Sequence, residues 1–429
     1  MISKETIKTI IADNQELPLP TIWKRTLEIP LNSGKIVTLT GVRRSGKTYH
    51  LFTIIQKLIT LGVDPKKILY FNFEDERLDI KTLEPDLILQ SYRELYPNLN
   101  LSQSYFLFDE IQELPNWEKF TIRIYNSVSR HVFVTGSNAT LLSKEIATSL
   151  RGRTVTFEVF PLSFPEFVNI KKSGIKKPES SKNRAILASL FEEFMLWGGF
   201  PEIITQKKTL RGKILQEYFN VMVLRDLVER YKISEPVILK YFCKRAVGNS
   251  GCEFSVNKIY NEIKSQGYKI SKDSLYAYQD YMESVYLIRF LPKYAQSVIK
   301  REMSRKKSYI IDQGLGSALD AKLAQDKSRL LETTAALEFI KRGKDIGYNQ
   351  NHNECDFIIS AKGSVEKAIQ VTYDFDNQNT KEREIKGLVQ TCEKFGLKEG
   401  TIITLDKEDN FKEGGINVKV VPAWKYFLN

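Results

Sequence analysis

The run Gly41-Val-Arg-Arg-Ser-Gly-Lys-Thr48 follows the spacing G-x-x-x-x-G-K-T, that of a loop built to wrap phosphate. Its glycines let backbone N–H groups close around phosphate oxygens, Lys47 neutralises β/γ charge, and the Thr48 hydroxyl reaches Mg²⁺. The candidate nucleotide contacts are Gly41, Arg43, Arg44, Ser45, Gly46, Lys47, Thr48 and Tyr49. A second group of residues supplies the rest of the chemistry. Asp109, beside Glu110, can hold Mg²⁺ together with Thr48, and Glu110 can act as general base on the attacking water. Thr135, Ser137 and Asn138 are three candidates for sensing a γ-phosphate, and the sequence does not separate them. Asn72 could restrain Glu110 or simply cap a turn. Arg153 could stabilise transition-state charge on a neighbour's nucleotide in a homo-oligomer, or form a structural ion pair. These residue types together point to binding and hydrolysis of a nucleoside triphosphate with Mg²⁺.

Strands and helices must carry those residues, and the pattern supplies them. Lys35–Thr40 reads as a strand entering the loop, and Tyr49–Leu58 has helical apolar spacing behind it, so phosphate would also meet a helix N-terminus. Lys67–Asp75, Ser104–Glu110, Arg130–Asn138 and Thr154–Val159 read as further buried strands, separated by helical stretches. Such alternation implies a parallel sheet with helices on both faces.

Composition narrows the class. The 429 residues are 42% hydrophobic and 27% charged, an ordinary globular balance that is too long for one domain. The first residues lack a signal-peptide core, and no apolar run is long enough to cross a bilayer, so the expectation is a cytoplasmic protein without a membrane partner. Cys243, Cys252, Cys355 and Cys392 are scattered, which argues for reduced structural thiols and against a zinc site. The formal charge of +12 is partly localised: Lys293, Lys300, Arg301, Arg305, Lys306 and Lys307 share a stretch in which Glu302 is the only acid. Such a run fits nucleic acid or a solvated loop.

Several segments resemble a large archaeal and bacterial family of AAA+-like ATPases with a C-terminal region built from a winged helix and a restriction-endonuclease-like fold. Besides the phosphate loop they are Tyr70–Arg77, Phe108–Gln112, Gly136–Asn138, Ser149–Arg153, Phe160–Phe167, Trp197–Glu202, Arg225–Tyr231 and Ser308–Leu315. The resemblance implies ATP as the nucleotide. It also implies an α/β fold in four parts: a P-loop ATPase core at 1–165, a helical lid at 166–235, a winged helix at 236–325 and a nuclease-like α/β domain at 326–429. Arg225 and Asp226 are charges in an otherwise apolar helix and read as surface salt bridges or as groups facing the nucleotide.

In the winged-helix region Val256–Lys264 and Lys272–Met282 read as helices, the second capped by Ser271. Lys272, Ser274, Tyr276 and Gln279 would then face duplex DNA, with Lys300, Arg301 and Arg305 near phosphates. A protein-docking role is the alternative. The last hundred residues resemble the PD-(D/E)xK nuclease core, with Glu338 and Asp356 standing where its first two acids belong. The third motif reads Gln370-Val-Thr372, an amide in place of the acid and no lysine, which predicts a site without nuclease activity. The leading expectation is an ATPase whose nucleotide state controls a DNA- or partner-binding C-terminal half. A slow, signal-transducing ATP switch that scaffolds proteins is the alternative, and an ATP-regulated nuclease the remoter one.

Overall fold

In the computed structural model the described residues are 2–80, 82–137, 152–172, 175, 180–350 and 354–428. They fall into two compact units, Met1–Phe160 and Pro161–Asn429.

The first unit begins with α1 (Lys4–Glu16), capped by the Ser3 hydroxyl and buried through Ile7, Ile10 and Ile11. β1 (Ile36–Thr40) is buried along its whole length and leads through the Gly41–Gly46 loop into α2 (Lys47–Thr60). β2 (Ile68–Asn72), α3 (Pro85–Leu95), β3 (Tyr105–Asp109), α4 (Trp117–Ser127), β4 (His131–Gly136) and β5 (Thr154–Glu158) follow. The sheet order is β2-β3-β4-β1-β5 and every pairing is parallel. Alternation along β3 explains why both faces are covered. Phe106 and Phe108 join one core with Phe71, Tyr92 and α1, whereas Leu107 joins the other with Leu39, Leu51 and Ile54 of α2. Replacing a fully buried ring such as Phe108 with alanine would cost about 3–5 kcal/mol. β1 lies inside the sheet, so its C-terminal end, and the phosphate loop with it, sits between the tips of β4 and β5.

The second unit opens with helices: α5 (Phe164–Lys171), α6 (Ser181–Trp197), α7 (Pro201–Thr205) and α8 (Lys208–Val221). The Glu166 carboxylate accepts the Ser163 N–H at 2.9 Å at the start of α5. α8 continues into a π-helical stretch, Met222–Glu229, which carries Arg225 and buries Asp226. α9 (Pro236–Gly248), β6 (Cys252–Glu253), α10 (Val256–Ser265), α11 (Lys272–Ser284), β7 (Ile288–Pro292), α12 (Val298–Glu302) and β8 (Lys306–Ile310) come next. β8 pairs antiparallel with both β6 and β7. After α13 (Gln313–Leu319), α14 (Ala321–Gln325) and α15 (Lys327–Lys341) come β9 (Asp345–Gln350), β10 (Glu354–Ala361), β11 (Ser364–Val371), α16 (Gln378–Phe395), β12 (Glu399–Thr404), β13 (Asp409–Glu413), β14 (Ile416–Pro422) and α17 (Ala423–Leu428). They build a mixed six-stranded sheet, β13-β14-β12-β11-β10-β9, in which β9, β10 and β11 are antiparallel and β11, β12 and β14 parallel.

Two of the family-like segments meet inside this unit. The Asp312 carboxylate accepts the N–H of Gly199 at 2.7 Å and caps α13 through Leu315 at 3.1 Å. A side chain at Gly198 would meet Asp312 at 1.9 Å, and one at Gly314 would meet Trp197 at 2.1 Å. The glycines at 198 and 314 therefore permit a close crossing of two segments.

Candidate nucleotide site

The Gly41–Thr48 loop is held from several sides. Gly41 has φ +139°, and a Cβ there would lie 2.2 Å from the Val159 carbonyl oxygen. Gly46, at φ +103°, and Arg44, at φ 67°, both sit in the left-handed region. The Val159 N–H donates to Thr40 at 2.7 Å, so the end of β5 is laced to the loop's stem. Arg25, from the segment before β1, donates to the carbonyls of Ser45 at 3.2 Å and Phe160 at 2.7 Å. Nothing in the sequence pattern marks Arg25, which stands alone between two strand-less stretches. Arg43 pairs with Glu74 at 3.3 Å, and Tyr49 is half exposed on the first turn of α2.

The carboxylates converge on the loop. Thr48 Oγ1 donates to Asp109 Oδ2 at 2.7 Å, and the Tyr70 hydroxyl donates to the same oxygen at 3.0 Å. Thr135 Oγ1 donates to Asp109 Oδ1 at 2.5 Å and accepts the Glu110 N–H at 2.8 Å. Burial and the neighbouring Glu110 push the Asp109 carboxyl up, against the pull of Thr135, Thr48 and Tyr70. Burial, Asp109 and Glu110 together push the Tyr70 phenol up, so it is a committed donor. Lys47 Nζ lies 3.5 Å from Glu110 Oε1, and it also bonds the Gly41 carbonyl at 3.2 Å. Burial works against a charge on Glu110, but Lys47, Gln112 and Arg43 outweigh it and hold the carboxyl below the usual range.

The structure bears on several roles that the sequence left open. Asn72 does not touch Glu110: its Oδ1 accepts the Glu74 N–H at 2.9 Å and caps the turn after β2. The residue on Glu110 is Gln112, whose Nε2 donates to Glu110 Oε2 at 2.6 Å. Of the sensor candidates, Thr135 is already bonded to both acidic residues, whereas Ser137 Oγ is buried without a hydrogen-bond partner. Asn138 lies outside the described residues. Arg153 pairs through its carbonyl with Ile36 at the start of β1, about 13 Å of strand away from the loop. Its backbone thus lies at the opposite end of β1 from its own chain's loop.

The fit to a nucleotide rests on two orphaned buried hydroxyls. Ser45 Oγ and Ser137 Oγ both lack partners, in a protein interior where such atoms are normally satisfied. One lies in the loop and the other at the tip of the adjacent β4. Thr48 and Asp109, already bonded to each other, are the residues that would hold Mg²⁺.

The second unit rearranges the expected basic surface. Arg301 pairs with Asp345 at 2.7 Å, Arg305 with Glu253 at 3.1 Å, and Lys306 with Glu302 at 3.3 Å. Lys307 is buried among Glu354 at 2.7 Å, Glu332 at 2.9 Å and Asp356 at 3.7 Å. The run is thus largely neutralised by acids from β6, β9, β10 and α15, which a one-dimensional charge count cannot see; Lys300 stays exposed. On α11 Leu275, Tyr278 and Met282 face inward, and Lys272 and Tyr276 face solvent with Asp273 and Asp280, while Ser274 and Gln279 are half buried. Lys272 lies 5.2 Å over the Tyr260 ring.

Glu338 does not meet Asp356. It accepts the Phe164 N–H and pairs with Lys341, each at 3.2 Å, anchoring the start of α5. The acid of α15 that reaches the Lys307 cluster is Glu332, which also accepts from the Tyr309 hydroxyl at 2.7 Å. Asp356 accepts the Val371 N–H at 2.9 Å, and Gln370 spans from the Asp356 N–H to Glu384. An ammonium does stand beside Asp356, but it comes from β8 rather than from β11. Among the described residues no group of three or more His, Cys, Asp or Glu is arranged to hold a metal, the cysteines are free, and no helix is long and apolar enough to cross a membrane.

Residues 33–168 match the AAA domain model and residues 188–327 match a domain of unknown function, DUF8612. An uncharacterised protein of Methanocaldococcus jannaschii is 35% identical, covering 100% of this chain and 96% of its own. An uncharacterised protein of Haemophilus influenzae is 30% identical over 81% of this chain and 84% of its own. A Walker-type ATPase of Pyrococcus abyssi overlays 74% of this chain and 96% of its own at 17% identity, with a TM-score of 0.42. The Aeropyrum pernix ORC1 protein, solved in complex with DNA, overlays 79% of this chain and 92% of its own at 12% identity, with a TM-score of 0.27. Scores this low carry no functional weight. The first unit is accordingly a P-loop, AAA+-like ATPase domain, and the second carries a mixed-sheet α/β region.

Proposed function

The chain belongs to the same family as these archaeal and bacterial proteins, and from that premise we propose that it hydrolyses ATP and uses nucleotide state to control its C-terminal half. The observation that carries the proposal is the Thr48–Asp109 bond beside Glu110, since it puts a metal-binding hydroxyl, a metal-binding carboxylate and a base next to one phosphate loop. Lys47 and the loop's N–H groups would take the β- and γ-phosphates. Mg²⁺, held by Thr48 and Asp109, would withdraw charge from the phosphate oxygens. Water oxygen attacks the γ-phosphorus and its proton passes to Glu110. The bond from the γ-phosphorus to the bridging oxygen then breaks, leaving ADP and phosphate. Lys47 now sits against Glu110, and arrival of a triphosphate would draw its ammonium away and free the base.

Purified protein should turn over ATP, Glu110→Gln should bind ATP without turnover, and Lys47→Ala should lose binding. Unchanged hydrolysis in Lys47→Ala would remove the assignment.

For the C-terminal half, the order α9-β6-α10-α11-β7-α12-β8, with β8 between β6 and β7 in the sheet, supports a winged helix that would set Lys272 and Tyr276 on duplex DNA. The neutralised basic run favours a second reading, in which this half docks a protein. A steep fall of duplex affinity with salt, together with DNA-stimulated ATPase activity, separates the two. The antiparallel β9-β10-β11 set with β12 parallel to β11 supports a nuclease-like fold. With Lys307 buried against Asp356, we read that fold as non-cleaving.

A further inference from the structure

Gln112 belongs to no part of the site that the motifs define, yet it is the side chain in hydrogen-bond contact with Glu110 Oε2. The chain turns left-handed at Glu110, φ 49°, and then makes one turn of 3₁₀ helix over Ile111–Glu113. That turn brings the Gln112 amide back over the Glu110 carboxylate, with Nε2 at 2.6 Å from Oε2 and 3.4 Å from Glu113 Oε1. Two carboxylate neighbours fix which end of the amide is the nitrogen. The other end, Oε1, is buried and has no hydrogen-bond partner. Oxygen and nitrogen of one amide lie on the same carbon, so this unsatisfied acceptor stands beside the base. A buried acceptor left unmade costs about 1–3 kcal/mol, so a persistent one calls for a donor in the working state.

We propose that Gln112 positions the attacking water of ATP hydrolysis: Nε2 fixes the Glu110 carboxylate, and Oε1 accepts one water hydrogen while Glu110 accepts the other. Two acceptors on one water hold both of its hydrogens and so fix the directions of its lone pairs, one of which must point along the line of attack on the γ-phosphorus. An unpaired amide oxygen alone is no signature, since Gln313 also has one while its Nε2 donates to the Phe194 carbonyl. A brake on Glu110 would need only the nitrogen. What sets Gln112 apart is that its unpaired oxygen belongs to the amide that holds the base. The inference rests on the ATPase reading above.

The test uses the full-length chain and three variants, Gln112→Met, Gln112→Leu and Glu110→Gln. Met keeps the length of the side chain and removes both amide atoms. ATP turnover and ATP dissociation constants are measured for each. The expected result is a 10- to 100-fold fall in kcat for both Gln112 variants, of the order lost when a reacting group is misplaced, with ATP affinity and melting temperature unchanged. A rise in kcat would make Gln112 a brake, and an unchanged kcat would give it no role; either overturns the proposal. If wild type turns over ATP and Glu110→Gln does not, such a failure falls on Gln112 alone. If wild type shows no turnover, or Glu110→Gln retains it, the ATPase reading itself fails and takes this role with it.

Discussion

Thr135 and Ser137 lie two residues apart at the tip of β4, and the structure predicts opposite consequences for removing their hydroxyls. Thr135→Val keeps the shape of the side chain but strips a buried group from two partners, Asp109 Oδ1 and the Glu110 N–H. Each partner left unsatisfied in the interior costs about 1–3 kcal/mol, so the first unit should lose about 3 kcal/mol. Ser137→Ala removes a hydroxyl that has no hydrogen-bond partner within the protein, so stability should stay within about 0.5 kcal/mol of wild type. Nucleotide binding should reverse the order. If Ser137 meets the γ-phosphate, its loss removes one hydrogen bond to a charged group, about 1.5 kcal/mol. That is roughly a tenfold loss of affinity for a non-hydrolysable ATP analogue with none for ADP. Amide hydrogen exchange on β3 and β4 reads the stability arm, and titration calorimetry reads the binding arm. Equal stability losses in the two variants, or an unchanged preference for triphosphate in Ser137→Ala, would refute the reasoning.

Lys307→Met should destabilise the second unit by about 3–5 kcal/mol, because it leaves Glu332 and Asp356 buried against each other. Adding Glu332→Gln should recover part of that loss, as read by exchange on β10 and α15. Arg25→Ala frees the carbonyls of Ser45 and Phe160 and should weaken ATP binding about tenfold, measured by calorimetry. Burial opposes the charge on Glu193, but Arg211 and Lys171 outweigh it and hold the carboxyl below its ordinary 4.5. Its share of stability is therefore complete above that value and lost as pH falls below it. Glu193→Gln should flatten the acid side of the melting-temperature profile.

The chemistry of the phosphate site was legible because its residues are local in sequence. The loop needs eight consecutive positions, and Asp109 and Glu110 simply end a buried strand. Asn72 and Gln112 show where locality fails. Asn72 ends β2 in Tyr70–Arg77 and Gln112 follows β3 in Phe108–Gln112, and only the turn geometry decides which amide comes back over Glu110. Glu332 and Glu338 show the same on a helix: six residues apart, they leave α15 in different directions, so Glu338 anchors α5 and Glu332 meets Lys307. The pairing of the basic run was not legible, because charge along a chain does not reveal the acids that other elements bring to it. The π-helical Met222–Glu229 stretch breaks the 3.6-residue period, and nothing in its sequence announces that.

The lacing of Val159 to Thr40, and of Arg25 to Phe160, bears on signalling as well as on architecture. Phe160 is the last residue of the first unit, so the tether to everything downstream begins on the stem of the phosphate loop, with no slack between them. The same Arg25 side chain grips the loop at Ser45. A torsion imposed on the loop by a triphosphate would therefore arrive at the tether as a displacement, through two hydrogen bonds and one backbone pairing. In the proposed function, this is the point at which nucleotide occupancy would be passed to the chain beyond Phe160. The first variants with uncoupled activities should therefore map to positions 25, 41 and 159 rather than to the surface of either unit.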